Sequence, residues 1–465
     1  MVGISRYGAY VPRFRLDRRL IAGAWGAKQP AGEIAVANYD EDSLTMAVEA
    51  AMACLGDPPG PVGGVYSAST SSPYWEKQVS SFVATACDLP RAIFSADFAG
   101  SARAGVSAVL AAIRAVQAGA SERVLVTAAD ARLAQPEGEL EGMLGDGAAA
   151  VAIANRDVVA EFVDAASVAE EFTYVWRTDT SRMVQVSGGR FSNQYGYERD
   201  LGEAIRTVLD RQGLKPGDIN RVALYSPDAR AANDLAKAVG FDAKRQLGER
   251  LAVQIGCTGC AEALLQLASA LDQAQPGELI LVGSYGEGAD VALFRATDVI
   301  ATRRAPASVA DWVASKAMLP SYEKYLKYRR LIEVDEVVEV VTNVLEFKEL
   351  KQDVRLYASR CRECGQVQYP IAHVCIKCRA QERMEDVRLP RRGTVFTYTV
   401  DHLIANVEHP LPMAVVDVDG GGRLYLQVAD TDTVDIGTPV AFTFRRLHEG
   451  GGNHNYYWKA RPVRP

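Results

Sequence analysis

Histidine is absent from the first 372 residues: all five, His373, His402, His409, His448 and His454, fall in the last quarter of the 465-residue chain. Imidazole is the side chain that most readily moves protons near neutral pH, so chemistry centred in the N-terminal part must use other groups or borrow from the C-terminal part. Cysteine is scarce, eight in all, which excludes a disulfide scaffold. No apolar run reaches the roughly 18 to 20 residues that span a bilayer. Met1 to Tyr7 alternates like a strand and lacks the charged-then-apolar order of a signal segment. A basic excess is also missing: 51 Lys and Arg face 58 Asp and Glu, a net charge of -7, whereas a phosphate-reading surface or one for anionic membranes needs surplus cations. Nucleic-acid and membrane partners are therefore not expected, and a soluble cytoplasmic protein is.

What is present is ordinary globular material, 48% hydrophobic and 23% charged, with 39 Gly and 20 Pro. At roughly 100 to 200 residues per domain the length suggests two to four units. The chain also resembles itself at a shift of 156 residues: Gly100 to Val126 lies over Gly256 to Val282 with seven of 27 positions identical, among them Gln117-Ala118 over Gln273-Ala274. Each copy reads as a Gly-containing loop, an apolar helix, a turn and a buried strand, which predicts two similar α/β halves whose helix N-termini face one another. Further elements expected are a helix over Asp42–Leu55, a strand over Gly64–Ala68, a helix over Trp75–Cys87 and a fully apolar strand over Gly147–Ala154. Residues 1–160 and 161–301 are then the two halves, and 302–351 a helical connector with a helix at Tyr322–Leu331. Beyond residue 390, short strand signals at Thr394–Val400, Pro412–Val418, Arg423–Val428 and Thr438–Phe444 predict a small antiparallel barrel over 391–465. The stretch from His448 to His454, with three consecutive glycines, reads as a surface loop.

Cys361, Cys364, Cys375 and Cys378 follow the spacing C-x2-C-x10-C-x2-C, two knuckles that bring four thiolates to one tetrahedral Zn2+; residues 352–390 are therefore expected to be a zinc ribbon. Four sulfur ligands leave no open position, so the metal is structural. His373 lies inside this loop, but four Cys make it redundant. Cys257 and Cys260 form a further C-x2-C without a second pair, at the start of the second predicted helix, where the helix dipole favours a thiolate. Cys54 and Cys87 fall on apolar helix faces and read as inert.

Gly145-Asp-Gly-Ala-Ala-Ala150, Ser187-Gly-Gly-Arg-Phe191, Tyr225-Ser-Pro-Asp228, Gly256-Cys-Thr-Gly259 and Ser284-Tyr-Gly-Glu-Gly-Ala289 resemble, in order and spacing, the 3-hydroxy-3-methylglutaryl-CoA synthases of the thiolase superfamily. The ribbon and barrel resemble a rubredoxin-like zinc ribbon plus OB-fold module that accompanies thiolase-like proteins. The resemblance implies a duplicated α/β fold layered α/β/α/β/α, carbon–carbon bond chemistry on an acyl-CoA, coenzyme A as part of the substrate, and a homodimer. The departures carry as much information. Ser69-Thr70-Ser71 stands where the acid/base Glu of the pattern belongs, and Gly100-Ser101-Ala102 where the nucleophilic Cys opens the first helix. Tyr225 replaces the His before Pro, and Cys257 the Asn of the second helix loop.

A covalent acyl-enzyme is thereby disfavoured, since no thiol lies between Cys87 and Cys257. The catalytic candidates are Tyr225, Tyr285, Cys257 as a displaced nucleophile, and Ser101 as a helix cap and oxyanion contributor. Arg190, Arg103, Gly256 and Gly286 are the substrate-binding candidates, and Asp146 is expected to brace its loop. The leading expectation is an acyl-CoA enzyme performing aldol or retro-aldol chemistry on a β-hydroxyacyl-CoA. Claisen chemistry, synthase-like or thiolytic, is the alternative among enzymes. A non-catalytic acyl-CoA-binding scaffold for a partner hydratase or thiolase is the alternative from another class.

Overall fold

The computed structural model describes every residue except 27, 229, 249, 250, 335, 336, 338, 341, 464 and 465. The chain divides into two compact units, one of Met1–Asn38, Asp42–Ala84 and Leu89–Ile332, the other of Tyr39–Glu41, Thr85–Asp88 and Glu333–Pro465. No described helix is long and apolar enough to cross a membrane.

The first unit is built on nine strands: Gly3–Tyr10 (β1), Gly64–Ala68 (β2), Phe94–Phe98 (β3), Arg123–Asp130 (β4), Gly147–Ala154 (β5), Ala160–Ala169 (β6), Arg221–Leu224 (β7), Leu279–Tyr285 (β8) and Gly288–Ala296 (β9). Their order across the sheet is β7-β8-β9-β6-β1-β5-β4-β2-β3. The internal repeat is visible in the pairing. In the first half β2 and β4 run parallel while β5 is antiparallel to both β4 and β1. In the second half β7 and β8 run parallel while β9 is antiparallel to both β8 and β6. The halves meet where β1 and β6 pair at Gly3–Glu161 and Ile4–Ala160. β4, β5, β8 and β9 are buried almost throughout, as continuous apolar strands covered on both faces must be.

Four helices position the site and its surroundings: Ser43–Leu55 (α1), Val79–Ala86 (α2), Ala104–Gln117 (α3) and Glu262–Gln273 (α4). α1 begins where expected because Asp42 and Thr45 form a reciprocal capping box. α2 starts at Val79, four residues later than Trp75, because the Asp97 carboxylate accepts from the Val79 and Ser80 amides at 2.6 and 2.9 Å and caps the helix from a neighbouring strand. α3 and α4, the two copies of the repeated helix, pack against one another. The loop before β5 is held by Asp146, which accepts from the Ala37 amide at 2.7 Å and pairs with buried Arg329, just past the helix Tyr322–Tyr328 (α5).

In the second unit, Tyr357–Cys361 is the central strand of a three-stranded ribbon with Val367–Gln368 and Met384–Arg388. Arg392–Asp401 (β10), Leu411–Val418 (β11), Arg423–Gln427 (β12), Pro439–Gly450 (β13) and Asn453–Pro462 (β14) form a sheet in the order β12-β11-β10-β13-β14. A bridge from Val428 to Ala460 closes it into a barrel. The stretch read as a surface loop is the tip of the β13–β14 hairpin, with Glu449 opposite His454. Under the barrel lies a buried ionic cluster. Arg445 contacts Asp40, Glu41 and Asp430 at 3.3, 2.8 and 3.0 Å, and Lys459 contacts Asp40 at 2.8 Å.

Close backbone approach makes one glycine testable. A Cβ on Gly145 would lie 1.7 Å from the Ile255 carbonyl oxygen, with the Leu144–Cys257 bridge leaving no room to move apart. Gly145→Ala is expected to lower stability by about 3 kcal/mol, measured by urea denaturation. An unchanged midpoint would mean that this loop yields freely.

Candidate active site and metal centre

A cavity of about 130 Å3 opens in the first unit at the start of α3, lined from the first half by Thr70, Ser101, Ala102 and Arg132 and from the second by Tyr225, Tyr285 and Gly286, with Tyr174, Trp176 and Arg177 along one side. Four of the expected residues, Ser101, Tyr225, Tyr285 and Gly286, thus come together. Ser101 Oγ donates to the Gly286 carbonyl at 3.2 Å and accepts from the Arg103 amide at 3.4 Å. It therefore ties the two halves as well as serving the helix start, where Arg103 holds the cap position without a side-chain cap of its own. A Cβ on Gly286 would lie 2.2 Å from Ser101 Oγ, so only glycine permits this junction. Tyr285 is 1% exposed; its hydroxyl finds no hydrogen-bond partner among the described residues, and its ring packs on Tyr197 and Tyr174 with centroids 5.7 and 6.0 Å away.

The other candidates sit elsewhere. Arg103 donates to the Val168 carbonyl at 2.7 Å. Arg190 is exposed on the short helix Gly189–Ser192. Gly256 has a φ of +80° and is pressed against the backbone of Gly145. Neither it nor Cys257 lines the cavity. Just ahead of α4 the Cys260 N–H is already taken, donating to Asp130 at 2.8 Å.

Asp130, Arg132 and Glu262 do not stand out in the sequence, yet they organise the site. Asp130, fully buried at the end of β4, accepts from Ser69 Oγ at 3.2 Å, Thr70 N at 2.7 Å, Thr70 Oγ1 at 2.9 Å and Ser71 Oγ at 2.8 Å as well as from Cys260. The Ser-Thr-Ser segment is thereby fixed as a hydrogen-bonded loop. Arg132, 4% exposed, donates from Nη2 to Cys257 Sγ at 3.1 Å. Burial works against its charge, but Cys257, Tyr225 and Asp130 outweigh that and keep the guanidinium protonated. Burial pushes the Cys257 thiol up to about 12, with Glu262 adding to the rise and Arg132 opposing it. Burial likewise carries the Tyr225 phenol well above its ordinary value. Glu262 is raised to about 7 by burial, the Cys257 thiol and Arg132 limiting the rise. The one available signal was a charged residue interrupting an apolar run, Asp130 and Arg132 after Val124–Ala129 and Glu262 within Ala261–Leu265.

In the second unit the four sulfurs of Cys361, Cys364, Cys375 and Cys378 lie within 4.8 Å of one another. The pairs Cys361–Cys378 and Cys364–Cys375 are each 3.6 Å apart. Zn–S bonds of about 2.3 Å in a tetrahedron require S···S edges of about 3.8 Å, so the donor set fits Zn2+. The Lys377 and Cys378 amides point at Cys375 Sγ, at 3.4 and 3.5 Å, as suits a thiolate ligand. His373 is exposed, 4.0 Å from Glu382, and outside the cluster. When bound, the zinc holds the ribbon and supplies no open site for chemistry.

Two measurements test these assignments. The purified chain should carry one zinc per molecule, and Cys364→Ser should lose it together with the ribbon's protection from proteolysis; full zinc in that variant would remove Cys364 from the ligand set. The second concerns Glu262. Folded, it keeps its proton to about pH 7, whereas the ordinary carboxyl releases it near 4.5, so the folded state binds more protons in that window and loses stability as pH rises through it. Glu262→Gln abolishes this titration and should gain about 3 kcal/mol on the parent chain from pH 4 to pH 8. A difference independent of pH in paired denaturation series would contradict the burial-raised carboxyl.

Two family models match the C-terminal part, "ChsH2, rubredoxin-like zinc ribbon domain" over residues 349–385 and "ChsH2, C-terminal OB-fold domain" over residues 386–445. The N-terminal part is similar to the hydroxymethylglutaryl-CoA synthase of Caldivirga maquilingensis, 32% identical over 344 residues covering 71% of this chain and 98% of that protein. It is also similar to the synthase of Methanocella arvoryzae, 34% identical over 298 residues covering 62% and 85%. Among solved structures, an HMG-CoA synthase complexed with CoA superimposes with a TM-score of 0.63 at 18% identity, covering 73% of this chain and 92% of that one, which fixes the thiolase-like fold. The α/β architecture expected from the repeat is thus present. With a thiolase-like α/β body, a four-cysteine ribbon and a barrel in one chain, the protein belongs to the hydroxymethylglutaryl-CoA synthase family.

Proposed function

We propose that this family member makes or breaks the Cα–Cβ bond of a β-hydroxyacyl-CoA by aldol chemistry, without an acyl-enzyme. The observation that carries the reading is the make-up of the cavity wall. Where the first helix begins it presents Ser101, and no thiol or imidazole is among the residues that line it. Cys257 lies behind Arg132 with its thiol raised to about 12, a poor nucleophile at neutral pH. In the cleavage direction the β-hydroxyl passes its proton to the Tyr225 oxygen as the phenol releases its own to water, the O–H electron pair forms the new carbonyl, and the Cα–Cβ pair moves into a thioester enolate. The enolate carbon then takes a proton. Arg132, a buried and permanent cation on the wall, supports that developing negative charge, and Ser101 and the α3 start face it from the other half. Tyr225, neutral because burial holds its proton, receives the β-hydroxyl as a hydrogen-bonding partner; Tyr285 places a second phenol opposite. The CoA thioester, a homodimer and the residue boundaries 160, 301 and 351 remain part of this proposal.

A Claisen reaction through Cys257 has one observation in its favour, the Arg132 hydrogen bond to its sulfur. The purified zinc-loaded chain should be incubated with branched and aryl β-hydroxyacyl-CoAs, with and without free CoA, and the CoA products identified by mass spectrometry. Release of an aldehyde or ketone and a shorter acyl-CoA without added CoA is expected, with Tyr225→Phe slower by about 100-fold or more. Cleavage of β-ketoacyl-CoA only when free CoA is present, or an acyl mass trapped on the Cys257 peptide, would overturn the aldol reading. Binding of CoA without turnover of any thioester would favour the scaffold.

A further inference from the structure

The helical stretch from Gly189 to Gln212 changes pitch near its start: α-helical over Gly189–Ser192, it widens to a π-helix over Asn193–Glu198 and returns to an α-helix at Arg199. A π turn inside a helix is rare and recurs at functional sites. This one holds three phenols of the cavity wall, those of Tyr174, Tyr225 and Tyr285. Tyr174 Oη donates to Asn193 Oδ1 at 3.1 Å, and Asn193 Nδ2 in turn donates to Asp228 at 3.2 Å. Tyr197 Oη donates to the Tyr225 carbonyl at 2.7 Å. The third contact is steric: a Cβ on Gly196 would lie 2.3 Å from Tyr285 Oη and 3.0 Å from the Phe172 ring.

Tyr285 has little room to yield. Its hydroxyl is buried against Gly196, and the Tyr197 and Tyr174 rings pack on its own. The open space beside it is the cavity of about 130 Å3 that it lines, so an atom added at residue 196 drives the phenol into that space. The volume is itself informative. An apolar cavity of about 150 Å3 holds one benzene molecule. Here Tyr174, Trp176, Tyr225 and Tyr285 stand in the wall, and aromatic side chains of this kind suit a flat apolar group.

We propose that Gly196 sets the depth of the acyl pocket by seating the Tyr285 hydroxyl beneath the π turn, and that the pocket so formed selects an acyl group ending in a single ring. The inference rests on the reading that this cavity takes the acyl part of a CoA thioester, and it does not require the aldol step. Gly196 is not in the cavity wall and acts through Tyr285, so it is a positioning residue.

Dissociation constants should be measured by calorimetry for propanoyl-CoA, phenylpropanoyl-CoA and naphthylpropanoyl-CoA, which lack the β-hydroxyl and so cannot undergo the cleavage. The proteins are the full zinc-loaded chain, Gly196→Ala, Tyr285→Leu, and Gly196→Ala combined with Tyr285→Phe. The parent should bind the phenyl thioester most tightly. Gly196→Ala should weaken that binding about tenfold or more and leave propanoyl-CoA little changed. Adding Tyr285→Phe removes the oxygen that the new methyl meets and should recover most of the loss. Tyr285→Leu should move the preference to the naphthyl thioester, and it decides the matter if Gly196→Ala does not fold: an unchanged preference there would overturn the proposal. Unchanged phenyl affinity in Gly196→Ala, equal losses for all three thioesters, no recovery in the double variant, or a parent that binds the naphthyl thioester as tightly as the phenyl one would also overturn it, while leaving acyl-CoA binding intact. A parent that binds none of the three would sink the acyl-CoA reading and the proposal with it.

Discussion

The site depends first on a buried carboxyl group that is not itself part of the cavity wall. Asp130 has no exposed surface and takes five hydrogen bonds, four from residues 69–71 and one from the Cys260 amide at the head of α4. A charge in that position is tolerable only when every lone pair is met, and here the partners come from both halves of the duplicated fold. The consequence is geometric. The Ser-Thr-Ser loop is held rigid, with Thr70 in the cavity wall, and the Cys260 amide just ahead of α4 is spent on structure. Arg132, two residues beyond Asp130, is delivered to the cavity with its charge intact.

The electrostatic balance of the two buried clusters differs, and so does what each can do. Beneath the barrel, Asp40, Glu41 and Asp430 face Arg445, Lys459 and the more distant Arg461, three anions against three cations in mutual contact. Around Cys257 the count is uneven: Arg132 is one cation against Asp130 and Glu262. Asp130 is fully hydrogen-bonded, while Glu262 has one bonded oxygen and one without a bond of normal geometry, so the uncompensated burial cost falls on Glu262 and lifts it towards neutrality. A structural lock and a titrating centre are thus made from the same residue types, and the difference is one missing cation.

Most of the scaffold was legible because it is written in periodicity. The strands at Gly64–Ala68 and Gly147–Ala154 carry enough apolar residues to announce themselves, and the 156-residue repeat exposes the duplication without any three-dimensional information. What escaped was decided by contacts distant in sequence. The start of α2 is set by Asp97 from another strand, which no local pattern reveals. The glycines at 450–452 read as part of a surface loop, but Gly451 and Gly452 supply the positive φ angles of a tight hairpin turn. In the site, Ser101, Tyr225, Tyr285 and Gly286 could be found because they sit where the family pattern marks a place. Asp130, Arg132 and Glu262 could not, because a lone charge beside an apolar run is usually a solvated end, and only the tertiary fold buries these three.

That division bears on how much rate the site can supply. In the proposed aldol reaction, a cavity without a nucleophile must lower the barrier through proton transfer and charge stabilisation alone. Positioned acid–base groups contribute roughly a hundred- to ten-thousand-fold, and a preorganised donor or cation in a low-dielectric site roughly a hundred- to a thousand-fold. Combined, they give roughly ten-thousand- to ten-million-fold, about 5 to 10 kcal/mol. Breaking a bond to an enolate-stabilised carbon falls within that range provided the phenol need not ionise. A Tyr225 driven well above its ordinary pKa could not wait as phenolate, so the proton it accepts must be matched by one it releases in the same step.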